Sequence, residues 1–180
     1  MKSRVLLIIV SLASLLGAFA YQTWKSLSLD EVPKITVVTT SGQRIALREL
    51  RGKPLLVTFW ATTCASCMEE MPHLIDLYKE FSPQGLNIIG IAVHYDPPNR
   101  VLAVQTSHHI PYTIAIDIDA RASRAFGDVE LTPTTFLIAP DGRVVYRKSG
   151  HMDMDKVRHD IMAMLGSSRA AQPASTPGGS

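Results

Sequence analysis

The chain's two cysteines, Cys64 and Cys67, are separated by two residues and lie between an apolar run and an amphipathic stretch. Leu55 to Trp60 is short, rich in β-formers and preceded by Gly52-Lys53-Pro54, which predicts a buried strand. From Met68 onward the spacing becomes helical. Met68, Met71, Leu74, Ile75, Tyr78 and Phe81 fall mostly on one side, and Glu69, Glu70, Asp76, Lys79 and Glu80 on the other. Cys64 is therefore expected where the strand hands over to the helix, with Cys67 inside the first turn. Unpaired N–H groups and a partial positive charge at that end of a helix stabilise a thiolate, the form of cysteine that attacks a disulfide. The expected division is Cys64 as the attacking sulfur and Cys67 as the resolving sulfur. A structural zinc site needs about four ligands, and no second cysteine pair exists. A static bridge closing so short a loop would add little constraint to the unfolded chain.

The motif resembles the active site of the thioredoxin superfamily, and more narrowly that of the membrane-anchored TlpA/ResA-type thiol–disulfide oxidoreductases. Phe59-Trp60-Ala61, the two cysteines, Pro72 five residues after the second and Glu70 three residues after it carry the resemblance. Two positions depart from it: Thr63 stands where the family usually has Trp, and Ala65-Ser66 separates the cysteines. Thr58 occupies the place of the buried Asp of thioredoxins proper. The resemblance continues through Thr132-Pro133-Thr134-Thr135-Phe136, similar to the cis-proline strand of the superfamily. It implies a cis Pro133 that turns the Thr132 backbone toward the dithiol for substrate pairing, with Trp60 beside it. Glu70, if it faces the cysteines, would oppose a second negative charge and relay protons. Otherwise it is a solvated surface residue near the helix start.

The rest of the chain supplies further elements. Lys34 to Thr40, a Ser41-Gly42-Gln43-Arg44 turn and Ile45 to Leu47 read as a hairpin, similar to the family's N-terminal addition. Leu86 to Val93 reads as a second buried parallel strand. Asp96 or Pro98 can begin a helix ending near His108-His109, followed by a strand over Thr113 to Ile118 and a short helix from Ala122 to Phe126 stopped by Gly127. Asp141-Gly142 predicts a hairpin turn before Val144 to Arg147, and Met154 to Leu165 a closing helix. The fold class is α/β: a thioredoxin-like mixed sheet flanked by helices, with an N-terminal β-hairpin and one N-terminal membrane helix. The expected domains are 1–24 as anchor or signal segment, 25–32 as tether, 33–166 as the thioredoxin-like domain and 167–180 as a disordered tail of small and polar residues.

Lys2 and Arg4 precede an uncharged stretch, Val5 to Ala20, which reads as an export signal. Uncleaved, it is long enough to span a bilayer with Tyr21 and Trp24 at the outer belt. Cleaved, it would be cut after Ala18-Phe19-Ala20. The resemblance favours the anchor, placing the chain in the bacterial inner membrane with its domain in the periplasm. The alternative is a soluble periplasmic protein after cleavage at Ala20.

With a net charge of +2 and scattered basic residues, no nucleic-acid partner is expected. The resemblance implies exported proteins carrying thiols or disulfides as substrates, apocytochrome c among them, and a membrane dithiol as electron donor. No cofactor or metal is expected beyond the redox-active Cys64–Cys67 disulfide. Two other functions use the same cysteines. Peroxiredoxins share the fold, but their Pro-x-x-x-Thr-x-x-Cys pattern fails here, because Val57 and Ala61 occupy the Pro and Thr positions. A copper-handling role would use the cysteines as soft ligands, with His151-Met152-Asp153-Met154 as a further candidate. Copper-delivery relatives usually have three residues between the cysteines, and methionine beside a terminal helix is more often packing.

Overall fold

The computed structural model describes residues 30–170 together with Ser14 and Gly17. The chain divides into two compact units, Met1–Asp30 and Glu31–Ser180. In the first, Ser14 and Gly17 are helical. The expected anchor otherwise lies outside the described residues, and among those described no helix is long and apolar enough to cross a membrane.

The second unit runs β1 (Thr36–Thr39), β2 (Arg44–Ala46), β3 (Leu55–Trp60), α1 (Ala65–Phe81), β4 (Asn87–Ala92), α2 (Pro98–Ser107), β5 (Thr113–Ile116), α3 (Arg121–Ala125), β6 (Thr134–Ile138), β7 (Val144–Ser149) and α4 (Met154–Ala170). One seven-stranded sheet has the order β2-β1-β5-β4-β3-β6-β7. β3 pairs parallel with β4, and β4 with β5; the remaining pairs are antiparallel. β3 has neighbours on both sides and all six of its residues are buried, which is why it reads as an unbroken apolar run.

Successive residues of β3 serve opposite layers, as the strand's two-residue period requires. Leu56 and Trp60 join a core with Met71, Leu74 and Leu77 of α1, Val101 of α2, and Val157 and Ile161 of α4. Phe59 faces the other layer, where its ring centroid lies 5.3 Å from that of Phe126 and 6.1 Å from that of Phe136. β4 passes the first layer at Gly90, paired with Thr58. A Cβ at Gly90 would lie 2.9 Å from Ile114 Cδ1, 3.2 Å from Trp60 Nε1 and 3.3 Å from Tyr112 Cε2. The missing side chain lets Trp60 and Tyr112 close over the strand.

Several boundaries move. Val32, expected in the tether, is buried and donates its N–H to Gly142 O, while Glu31 bridges to Arg143; the domain therefore starts before residue 33. α4 continues to Ala170, past the expected tail boundary at 167, and residues 171–180 lie outside the described residues. β5 ends at Ile116 because Asp117 turns to cap α3. α2 does begin at Pro98, but its N-cap is Pro97, and the Asp96 carboxylate points elsewhere.

Candidate active site

β3 ends at Trp60, at the C-terminal end of a central strand, and a turn closed by Cys64 N–H on Ala61 O (3.1 Å) sets Cys64 as the N-cap of α1. Cys64 is half-buried, whereas Cys67, inside the first turn, is only 4% exposed. The two form a disulfide. Cys67 N–H donates to Cys64 Sγ at 3.2 Å, and the Ser66 hydroxyl lies 3.5 Å from that sulfur. Both are donors a thiolate could use on reduction, in addition to the helix-terminal field. The sulfurs thus have the unequal exposure expected of an attacking and a resolving pair.

Glu70 is not on the solvated face with the other charged residues of α1. It is 4% exposed, one turn beyond Cys67 on the buried side of α1. Its Oε1 accepts Met152 N–H at 2.5 Å from the loop before α4, while Oε2 has no partner among the described residues. The imidazole of His151 spans both helix carboxylates, with Nδ1 3.7 Å from Glu70 Oε1 and Nε2 3.6 Å from Glu69 Oε2. Burial raises the Glu70 pKa above the ordinary carboxylate value of 4.5; the Met152 N–H and the nearby His151 and His73 act in the opposite direction. Burial also pushes the Tyr112 phenol well above its usual range, and the charge of Glu70 adds to that shift.

These groups share a small cavity of about 10 Å³, the room one water occupies, lined by Thr58, Trp60, Cys67, Glu70, Tyr112 and Pro133 among others. The Thr132–Pro133 peptide is cis. Of the residues singled out from sequence, Cys64, Cys67, Glu70, Trp60 and Pro133 are thus brought together, and Thr132 adjoins them. Thr58 is buried and its hydroxyl accepts from Thr135 Oγ1 at 3.0 Å, so a neutral hydroxyl pair occupies the place of the thioredoxin carboxylate. Met152 is buried in the core, and no group of three or more metal-capable side chains occurs among the described residues.

Periodicity did not reveal Tyr112, the Met152 N–H or Asp96. Asp96 is buried and its carboxylate accepts from Thr62 N–H at 2.6 Å and Thr62 Oγ1–H at 2.7 Å. In the sequence it reads only as a loop residue that can begin a helix beside two prolines. Tyr95, next to Asp96, and Leu131, two residues before Pro133, are large side chains left 56% and 68% exposed.

The Redoxin family profile matches residues 28–165. The chain belongs to that family. Over 136 residues it is 33% identical to the thiol-disulfide oxidoreductase ResA of Bacillus subtilis, covering 76% of this chain and 74% of that one. With the protein of the same name from Bacillus thuringiensis it shares 29% over 167 residues, covering 87% and 94%. A thioredoxin-family thiol:disulfide interchange protein from Chlorobium tepidum superposes with a TM-score of 0.68 at 26% identity, covering 76% of this chain and 97% of that one. The protein is a TlpA/ResA-type member of the thioredoxin superfamily and a thiol–disulfide oxidoreductase that carries the Cys64–Cys67 pair.

Proposed function

We propose that this oxidoreductase works as a reductant of specific protein disulfides outside the cytoplasm, with apocytochrome c among the substrates its family resemblance suggests. The observation that carries the direction is the buried Glu70 beside Cys67. A negative or proton-sharing carboxylate there opposes thiolate formation, and an unstable thiolate favours the disulfide form of the enzyme. That is the property of a protein that gives electrons away.

In the reductive half-reaction the Cys64 thiolate attacks one sulfur of the substrate disulfide. The substrate's other sulfur leaves as a thiolate and takes up a proton. Cys67 then loses its proton, with Glu70 as the nearby acceptor, and attacks Cys64 Sγ. The second substrate sulfur leaves and is protonated, so that one substrate disulfide becomes two thiols and the enzyme dithiol becomes the Cys64–Cys67 disulfide. A membrane dithiol restores the reduced enzyme. Pro133 borders the sulfurs, and the main chain of Thr132 is the proposed pairing edge for the substrate backbone. Trp60 lines the same cavity as Cys67 and Pro133 and is the proposed apolar neighbour of that substrate segment.

The basic start at Lys2 and Arg4 and the uncharged run that follows support an inner-membrane anchor with the domain in the periplasm. Fractionation tests this: the full chain should stay with the membrane. A soluble periplasmic form beginning at Tyr21 would overturn the anchor. For the function itself, Cys67→Ser expressed in the native host should accumulate mixed disulfides visible as bands removed by dithiothreitol. If Cys64→Ser traps partners instead, the roles are reversed. Tight stoichiometric copper binding by the reduced protein, without insulin-disulfide turnover, would favour the copper-handling alternative.

A further inference from the structure

We propose that Asp96, on the loop between β4 and α2, is a positioning residue for Cys64. Its carboxylate holds Thr62 and thereby fixes the segment that delivers the attacking sulfur to the start of α1. Asp96 is 4% exposed, and both its oxygens are used on one residue 34 positions earlier in the chain, the Thr62 N–H at 2.6 Å and the Thr62 hydroxyl at 2.7 Å. These are short charge-assisted bonds.

The loop that carries Asp96 is itself tied to β3. Val93 N–H donates to Trp60 O at 3.1 Å, and Asp96 N–H to Val93 O at 3.0 Å. Together with the Cys64 N–H bond to Ala61 O, every step from Trp60 to Cys64 is bracketed except the exposed Thr63. No Lys or Arg pairs with Asp96 among the described residues. The bracket therefore carries a net negative charge two residues before the attacking sulfur. Asp96 both orients Cys64 and restrains its ionisation, and the Thr62 hydroxyl moderates that restraint.

The other ionisable groups carried by the neighbouring elements are Glu69, Glu70 and His73 on α1, Tyr112 ahead of β5, His151 in the loop before α4, and His94 and Tyr95 on the loop of Asp96 itself. All are retained in the variants below.

The inference rests on Cys64 being the attacking thiol, so its test reads that thiol directly and needs no substrate. In the full chain carrying Cys67→Ser, Cys64 is the single thiol, and its iodoacetamide labelling is followed against pH. Asp96→Asn removes the charge and should shift the profile to lower pH, with labelling about threefold faster at pH 7. Thr62→Val keeps the charge but removes one of its two donors. It should shift the profile the other way, slowing labelling at pH 7 by about twofold. Superimposable profiles, with thermal stability alone reduced, would make Asp96 a loop-stabilising residue and overturn the proposal. If Asp96→Asn does not fold, the near-isosteric Thr62→Val decides by the same criterion. A failure of the proposed reductase role would appear in disulfide turnover and not in this labelling.

Discussion

Two carboxylates, each 4% exposed, are buried near the same end of the sheet and are treated in opposite ways. At the corner between β5 and α3, Asp117 accepts from Ala122 N–H at 2.8 Å, Ser123 N–H at 2.8 Å and Ser123 Oγ–H at 2.7 Å. Beside the dithiol, Glu70 accepts one N–H, and its second oxygen is left without a partner among the described residues. A buried charge held by three donors is well solvated by the protein and serves as a structural joint. A carboxylate with one oxygen unengaged, pushed toward its protonated form and lining the same cavity as Cys67, is suited to exchange a proton with the sulfurs. Burial alone does not separate a structural acid from a functional one; the number of donors facing it does.

The contrast is broken most completely by removing the attacking sulfur of the dithiol that Glu70 borders. Cys64→Ser should abolish insulin-disulfide turnover while leaving the Asp117 corner and the fold intact, as read by thermal unfolding under reducing conditions.

The next largest effect is on the other side of the comparison. Asp117→Ala strips three donors of their acceptor and should lower stability by about 3 kcal/mol in urea unfolding. The pH profile of Cys64 labelling should not move. A shifted profile in that variant would mean that the two acids are coupled, and the distinction between them would fail.

Glu70→Gln sharpens the contrast from within the site. The amide keeps an acceptor for Met152 N–H but carries no charge. Iodoacetamide labelling of Cys64 near neutral pH should then be about threefold faster than in the wild type. Superimposable profiles would show that Glu70 has no part in the thiol chemistry. The smallest effect is thermodynamic. Because the folded-state pKa of Glu70 lies above its unfolded value, its contribution to stability is fully present below about pH 4.5 and is lost as pH rises through the folded value. The stability of Glu70→Gln relative to the wild type should therefore improve from about pH 4 to pH 7. A difference independent of pH would contradict the raised pKa.

The parts of the molecule legible in the sequence were those governed by local rules. The unbroken apolar run Leu55 to Trp60, the cysteines at a strand-to-helix junction and the Gly42 and Gly142 turns, both at positive φ, each follow from short-range patterning. The cis Pro133 was read through the family resemblance, because the residues around it are equally compatible with a trans proline. Glu70 shows where periodicity is ambiguous. Spacing from Cys67, Leu74 and Leu77 places it on the buried face, while its charge grouped it with the solvated one. The N–H that makes its burial tolerable comes from Met152, 82 residues away. Asp96 fails for the same reason: beside Pro97 and Pro98 it reads as a helix start, yet its carboxylate is committed to Thr62 on a different strand's exit. Local sequence indicates what a polar side chain can do, and only the assembled sheet decides which of its possible partners reaches it.

The measurement that bears most directly on the account is the dithiol–disulfide potential of the protein, obtained by equilibration with glutathione buffers and quantified by the fraction of Cys64–Cys67 disulfide. A buried, proton-sharing Glu70 that disfavours the thiolate predicts a potential of about −250 mV or below, that of a reductant. A potential near about −120 mV would show that the reduced form is the stabilised one, and would contradict the proposed direction of electron flow.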